Sequence, residues 1–282
     1  MCSLLFLSFL PSLLSLLQLT VDVIADEILW KMCADSKVIS TGASEEDPDV
    51  RMFHEKNKFA LCWDPLDGSS IVDSNFAVGT IIGVWDQQKT GFLGATGRDQ
   101  VTSLCCMYGP RTTALIGLDD GVYEFTRGAT AEGARNPDGS LPEWVCSRSK
   151  ITIGADTKIF SPANLRATQE IPGYMKYFQG HLEKKTTLRY TGGMVPDIYQ
   201  QFTKQQGIFT NPTCDKAPAK LRLAFEAAPL GLLVEQAGGK TSDGVTGGSV
   251  LDVKINTVDQ RTALAIGSSN EVDRFNKDVL GK

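Results

Sequence analysis

The stretch Phe59-Ala-Leu-Cys-Trp63-Asp64-Pro-Leu66-Asp67-Gly68-Ser69-Ser70 decides the fold and the chemistry of this 282-residue chain. The apolar run from Phe59 to Trp63 predicts a buried strand. We expect this strand to stop at the Asp-Pro step, because proline has no N–H to donate to a central ladder. Asp64 and Asp67 then lie on a tight turn that can direct both carboxylates at one point.

The segment after this turn favours anion binding. Gly68, Ser69 and Ser70 are small residues whose backbone N–H groups and hydroxyls can receive an anion. The two carboxylates before them are hard oxygen ligands of the kind that Mg²⁺ prefers. The alternative is an ordinary turn, because Asp-Pro and Asp-Gly are common turn dipeptides.

A pair of adjacent acids upstream favours the metal site over the plain turn. Glu45 and Glu46 follow Ser44 and precede Asp64 by about one strand and one turn. Adjacent acids on a loop are usually only solvated charge, but this spacing allows them to converge with Asp64.

Composition indicates a soluble globular protein and excludes several functions. Hydrophobic residues make up 42% and charged residues 22% of the chain, which could form one or two domains. The net charge of −5 argues against nucleic-acid binding. The seven cysteines form no CxxC pair, which favours free thiols in a reducing compartment.

One motif points to a different chemistry. The run from Cys105 to Arg111-Thr112 satisfies the C-x5-R-[ST] spacing of thiol phosphatases, although so short a motif is easily met by chance. Val101, Leu104, Cys105 and Tyr108 fall at helical spacing, so we predict a helix over 98–107 with Cys105 in the core.

The order and spacing of the acids resemble those of a known family. Asp22, Glu45-Glu46, the Asp64-to-Ser70 motif and Glu226 are similar to those of the Mg²⁺-dependent sugar bisphosphatases related to fructose-1,6-bisphosphatase and inositol monophosphatase. The flanking motifs resemble the sedoheptulose-1,7-bisphosphatase branch; they are Gly109-Pro-Arg-Thr-Thr113, Ser161-Pro-Ala-Asn164-Leu-Arg166-Ala-Thr and Leu188-Arg189-Tyr190-Thr-Gly-Gly-Met194-Val-Pro-Asp197. The resemblance runs from about Val21 to about Phe275.

Strands that alternate with helices predict a layered α/β protein, and the resemblance implies an αβαβα sandwich. We divide the chain into an apolar segment (1–20), a metal-binding half (21–150) and a sugar-phosphate-binding half (151–282). The boundary falls in a predicted surface insertion at 128–150.

Three further elements are predicted along the chain. A helix from Val21 is expected to face the core with Ile24, Ile28 and Leu29. Residues 41–57 are expected to form a polar loop, and a helix over 221–237 places Glu226 on its apolar side. A buried carboxylate usually has a cationic or metal partner.

The resemblance implies a role for each site residue. Glu45, Asp64, the backbone oxygen of Leu66, Asp67 and Glu226 would hold two to three Mg²⁺ ions per subunit, with paired ions about 3.5–4 Å apart. Asp22 and Glu46 would position and deprotonate the attacking water. The residues implied for substrate are Asp67, Gly68, Ser69 and Ser70 at the scissile phosphate, and Asn164, Tyr190, Met194 and Lys220 at the sugar and remote phosphate. Arg189 would reach the substrate of a neighbouring subunit in a homodimer or homotetramer.

The implied reaction is removal of the 1-phosphate of sedoheptulose 1,7-bisphosphate in the Calvin cycle. A fructose-1,6-bisphosphatase or a dual-specificity enzyme is the alternative; Asn211, where fructose-1,6-bisphosphatases carry tyrosine, fits the seven-carbon sugar. Leu16 stands where relatives carry an acid that helps to activate water. This departure leaves open a non-catalytic relative that binds sugar phosphates.

Residues 1–19 carry no charge and include Pro11. A secretory or transit signal would need basic residues, and a membrane span would be longer. A targeting segment, a core helix and a mispredicted start all stay open. The resemblance implies the plastid stroma, with the cytoplasm as the alternative.

Overall fold

The computed structural model describes residues 21–89, 91–128, 140 and 143–282. The predictions for residues 1–20, including Leu16, therefore lie outside the described residues. The same holds for most of the predicted insertion.

The first sheet has eight strands within the described residues, in the order β2-β1-β3-β4-β5-β6-β7-β8. They are β1 (Ile39–Ser44), β2 (Arg51–Met52), β3 (Phe59–Asp67), β4 (Val78–Asp86), β5 (Gln100–Tyr108), β6 (Thr112–Leu118), β7 (Gly121–Arg127) and β8 (Trp144–Ile151). β1 runs parallel to β3, and all the other neighbours are antiparallel.

The second sheet has five strands in the order β10-β9-β11-β13-β12. They are β9 (Ile159–Pro162), β10 (Thr187–Leu188), β11 (Ile208–Asn211), β12 (Lys240–Ser242) and β13 (Leu264–Gly267). β9 is parallel to both of its neighbours, whereas β13 is antiparallel to both of its own.

Five α-helices accompany the sheets in the described part of the chain. They are α1 (21–35), α2 (Pro172–Glu183), α3 (Met194–Lys204), α4 (Ala228–Gln236) and α5 (Ser269–Phe275). Short 3-10 turns cover Ser69–Ile71, Gly97–Asp99, Leu165–Gln169 and Val250–Asp252, and π-helical turns cover Leu223–Ala227 and Asn276–Leu280. The helix predicted over 221–237 is thus a π-helical turn that continues into α4.

Three buried clusters define the layers. α1 packs on one face of the first sheet through Trp30 and Trp63. The opposite face, represented by Cys62, shares a cluster with α3, α4 and one face of the second sheet. α2 and α5 cover the remaining face of the second sheet. The order helix, sheet, helix, sheet, helix confirms the predicted layered α/β sandwich.

The face predicted for α1 is wrong. Ile24 and Ile28 are about half exposed, whereas Asp22 and Asp26 are buried. Of the three predicted core residues, Leu29 does pack against the buried cluster of Trp30 and Trp63. The Asp26 carboxylate accepts hydrogen bonds from Ser44 Oγ (2.5 Å) and from the indole N–H groups of Trp30 and Trp63 (both 2.9 Å). These donors compensate its burial, so the acidic face turns inward.

The helix predicted over 98–107 is also wrong, because this segment pairs on both sides as β5. Cys105 is nevertheless fully buried, as expected. The first four residues of the predicted polar loop 41–57 belong instead to β1. This strand is buried and pairs with β3, but its small residues show no hydrophobic alternation that would reveal it in the sequence.

The predicted insertion at 128–150 includes β8, which extends the first sheet beside β7. Asp119 and Asp120 form the turn of the hairpin between β6 and β7, because Leu118 pairs with Gly121. No helix among the described residues is both long enough and apolar enough to cross a bilayer.

Candidate metal and sugar-phosphate site

Asp64, Asp67 and Glu226 form a buried carboxylate cluster, and one oxygen of each lies within 4.8 Å of the others. The sequence predicted that β3 would stop at Asp64, and that prediction is wrong because the strand continues to Asp67. Asp64 pairs with Ile81 and Asp67 with Gly79, so β3 has one residue more than β4 at this point. This bulge tolerates the proline in the strand and turns both carboxylates toward Glu226.

Backbone N–H groups hold each carboxylate of the cluster. Asp67 accepts hydrogen bonds from the N–H groups of Met194 (3.2 Å) and Val195 (2.5 Å) at the start of α3, where the helix dipole favours an anion. Asp64 accepts one from Leu66 (3.0 Å), and Glu226 accepts one from Arg222 (2.5 Å).

Burial raises the pKa of all three acids. It raises the pKa of Asp67 to about 7 and of Glu226 to about 8, with mutual repulsion adding to the effect on Glu226. The pKa of Asp64 lies well above its ordinary range, first through burial and then through the charges of Asp67 and Glu226. A divalent cation would remove this penalty, and three carboxylates form a hard oxygen donor set that suits Mg²⁺.

Glu45 reaches the same edge of the sheet as Asp64. β1 is parallel to β3, its last residue Ser44 pairs with Trp63, and Glu45 follows directly after Ser44. Its carboxylate forms an ion pair with the Arg222 guanidinium and lies outside the close cluster. Burial raises the pKa of Glu45 and Arg222 lowers it, with burial the larger effect.

Asp22 and Glu46 lie close enough for the charge of Glu46 to act on the carboxyl of Asp22, so the structure brings together the two acids predicted to handle the water. Asp22 is buried, and its Oδ1 has no hydrogen-bond partner among the described residues. Burial, followed by the charge of Glu46, raises the pKa of Asp22 to about 7. Such a carboxyl is suited to exchange a proton near neutral pH.

Gly68 begins the predicted anion cradle with φ of 88°. This left-handed conformation favours glycine, and a Cβ at this position would also lie 3.3 Å from the Val78 side chain. The 3-10 turn Ser69–Ile71 follows directly.

A cavity of about 250 Å³ opens beside Asp67 and Glu226. Of the residues predicted to bind substrate, Asp67, Asn164, Tyr190, Met194 and Lys220 line it. Gly68, Ser69, Ser70 and Arg189 are not part of its lining, and Arg189 is exposed beside β10. The lining also contains Arg166 and Asn211.

The thiol-phosphatase alternative loses its support in the structure. Cys105 is fully buried within β5, and burial raises the pKa of its thiol well above the ordinary value. A buried, protonated thiol is a poor nucleophile.

Sequence profiles for the N-terminal and C-terminal domains of fructose-1,6-bisphosphatase match residues 15–133 and 153–279. The chain is 39% identical to the class 1 fructose-1,6-bisphosphatase of Geobacter sulfurreducens over 90% of its own length and 77% of the relative. The crystal structure of the Leishmania major fructose-1,6-bisphosphatase in its T-state superposes with a TM-score of 0.78 at 30% identity, covering 90% of this chain and 81% of that one. The chain therefore belongs to the fructose-1,6-bisphosphatase family.

Within this family, the chain is 46% identical to the chloroplastic sedoheptulose-1,7-bisphosphatase of Triticum aestivum over 94% of its length. It spans only 64% of that relative. A Toxoplasma gondii crystal structure, described as a candidate sedoheptulose-1,7-bisphosphatase, matches with a TM-score of 0.83 and 41% identity over 93% of this chain and 82% of that one.

Three residues of the site were not predicted from the sequence. Asp26 accepts a hydrogen bond from Trp63, and Arg222 forms an ion pair with Glu45. Both partners are distant in the sequence, so a pattern of local spacing cannot reveal these contacts. Arg166 stood within a quoted motif, but no spacing rule distinguished it from a surface charge.

Proposed function

We propose that this protein is a Mg²⁺-dependent sedoheptulose-1,7-bisphosphatase that hydrolyses the 1-phosphate to give sedoheptulose 7-phosphate and phosphate. The observation that carries the proposal is a buried cluster of three carboxylates beside a polar cavity that also contains cationic side chains. The names of the relatives at 44–46% identity support the seven-carbon sugar.

Asp64, Asp67 and Glu226 would form the centre of the metal site, with Glu45 and the Leu66 carbonyl as further ligands for two to three ions. Bound Mg²⁺ would neutralise phosphate oxygens and make water more acidic. Glu45 would have to exchange its Arg222 partner for the metal.

The protein's own residues would then orient the reactants. Asp22, beside Glu46, would accept the proton of the attacking water, a contribution worth about 10²–10⁴ in rate. The N–H groups from Gly68 to Ser70 would bind the scissile phosphate. Asn164, Tyr190, Met194 and Lys220 would hold the sugar and its far end.

Location and assembly belong to the same proposal. The chloroplastic relatives support a plastid location and a place in the Calvin cycle. The proposed assembly is a homodimer or homotetramer, in which Arg189 would reach the substrate of the neighbouring subunit. Its exposed position is compatible with such a role.

Fructose 1,6-bisphosphate is the second candidate substrate, because several relatives at 36–39% identity are class 1 fructose-1,6-bisphosphatases. Asn211, where the resemblance places a tyrosine in fructose-1,6-bisphosphatases, lines the cavity, so the difference lies in the proposed sugar site.

Phosphate release from both sugars, with and without Mg²⁺, tests the proposal. We expect Mg²⁺-dependent release that favours the seven-carbon sugar and is lost in Asp64→Ala. A folded protein that binds Mg²⁺ but releases no phosphate from either sugar would instead be a non-catalytic relative.

A further inference from the structure

Two cationic side chains line the cavity without a protein partner. Within the described chain, neither Arg166 nor Lys220 forms an ion pair or donates a side-chain hydrogen bond. Lys216, an exposed cation of the same loop as Lys220, instead pairs with Glu170 at 2.9 Å. Unpaired cations in a concave site are available to an anionic ligand.

Arg166 lies within the turn Leu165–Gln169, directly after β9. Its charge acts on the phenol of Tyr190 and lowers the pKa of that group, against the larger effect of burial, which raises it. The Tyr190 hydroxyl donates a hydrogen bond to the Ala163 carbonyl (3.4 Å) in the same segment. Arg166 and Tyr190 are therefore neighbours in the cavity wall.

The cavity wall carries acids at one place and cations at another, and the two sets suit different parts of a sugar bisphosphate. Asp67 and Glu226 are anionic groups, and a phosphate can approach them only when cations lie between. A sugar bisphosphate carries a second dianion, which needs positive charge from the protein itself. Arg166 and Lys220 are the cations among the described residues of the lining, and a guanidinium can bind a phosphate with two parallel hydrogen bonds.

We propose that Arg166, which has no role in the proposed function above, also binds the second phosphate group of the sugar bisphosphate, within the same subunit and beside Lys220. The proposal rests on the proposed function, since it assigns the far end of the same substrate. It gives each subunit its own guanidinium at this position, separate from any contribution of Arg189 across a subunit boundary.

The test compares Arg166→Ala and Arg166→Lys with Lys216→Ala, a cation that does not line the cavity. Sedoheptulose 7-phosphate is the probe, because it carries only the second phosphate. We expect Arg166→Ala to weaken its binding in titration calorimetry about 10- to 100-fold, as the loss of a hydrogen bond to a charged group predicts. Arg166→Lys should show an intermediate loss, and Lys216→Ala should stay within about twofold of the wild type.

Hydrolysis of fructose 1-phosphate gives a second readout. This substrate lacks the second phosphate, so the ratio of its kcat/KM to that for the bisphosphate should rise about 10- to 100-fold in Arg166→Ala. A general structural defect would lower both values equally. Unchanged melting temperatures would show that each variant is folded.

Two results would overturn the inference: no binding of sedoheptulose 7-phosphate to the wild type, or equal binding to wild type and Arg166→Ala. Failure of the proposed function gives a different result. A wild type that hydrolyses neither bisphosphate, yet binds sedoheptulose 7-phosphate in an Arg166-dependent way, would refute the activity and support the inference.

Discussion

The carboxylate of Asp64 illustrates the conflict between stability and function at the scale of single residues. It is buried with two other acids, and each raises the cost of ionising its neighbour. A fold optimised for stability alone would not place three acids within 4.8 Å of one another. This arrangement is favourable only when a cation is bound.

Replacing Asp64 by asparagine should separate the two properties. We expect Asp64→Asn to stabilise the metal-free protein by about 0.5–2 kcal/mol, because a buried acid that is costly to ionise beside Asp67 and Glu226 becomes a neutral amide. Phosphate release and the rise in melting temperature on adding Mg²⁺ should both be lost, since a ligand stabilises only the state that binds it. Calorimetric melting with chelator and with Mg²⁺ measures both effects.

Asp73→Asn is the matched control, because Asp73 lies exposed shortly after the same motif. It should keep both the Mg²⁺ response and the activity. Equal Mg²⁺ responses in wild type and Asp64→Asn would exclude this carboxylate from the metal site.

The sequence predicted the carboxylates that the structure brings together, because Asp64 and Asp67 are fixed by a local motif and Glu226 by its position on an apolar helix side. It did not predict Asp26. The family resemblance that identified Asp22 gave no sign that Asp26 would accept hydrogen bonds from Ser44 and Trp63.

At the scale of secondary-structure elements, α1 shows where sequence patterns lose their information. The helical period was correct, but the buried face was assigned by hydrophobicity. Which face turns inward was decided by hydrogen-bond donors on β1 and β3, and these donors lie far from α1 in the sequence. β3 shows the same limit: the Asp-Pro step indicates an end, whereas pairing with β4 carries the strand onward as a bulge.

Two substitutions on α1 should therefore reverse the effects expected from hydrophobicity. Asp26→Ala leaves three buried donors without an acceptor and should lower the free energy of unfolding by about 3–5 kcal/mol. Ile28→Gln, on the exposed face of the same helix, should change it by less than about 0.5 kcal/mol.

Urea denaturation of the two variants beside the wild type measures the difference. A larger loss in Ile28→Gln than in Asp26→Ala would mean that the face named by the sequence pattern is the packed one.

At the scale of the whole molecule, α3 and α4 form a layer shared by both sheets. Phe202 and Val234 belong to the same buried cluster as Cys62 of the first sheet and Ile266 of the second. The division of the chain into two halves at residue 150 stays a prediction. One buried cluster nevertheless contains residues from both sides of that boundary. Long-range pairing of this kind cannot be predicted from local periodicity.

The outer layer formed by α2 and α5 contains His181, which should make stability depend on pH. His181 is 1% exposed and stacks on Phe160, and Arg274 donates a hydrogen bond to its Nε2 (2.6 Å). Burial first, then Arg274 and Lys184, lower the pKa of His181 to about 3. The folded state therefore holds this ring neutral, while the unfolded chain takes up a proton below its ordinary pKa of about 6.5.

Because the unfolded state binds more protons between these two values, stability should fall as the pH drops below about 6.5. Between pH 7 and pH 5, the wild type should lose about 2 kcal/mol more than His181→Gln, which cannot titrate. Urea denaturation at both pH values measures the difference. Parallel losses in the two proteins would mean that other groups carry the pH dependence.

The hydrogen bonds from Met194 and Val195 to Asp67 have a consequence for folding during translation. During synthesis, Asp64 and Asp67 leave the ribosome long before the amides that hold Asp67, and Glu226 follows later still. Until then the acids of β3 have neither their amide donors nor their third carboxylate. A nascent chain arrested before Glu226 should therefore bind Mg²⁺ weakly, and binding should become tight only after Glu226 has left the ribosome.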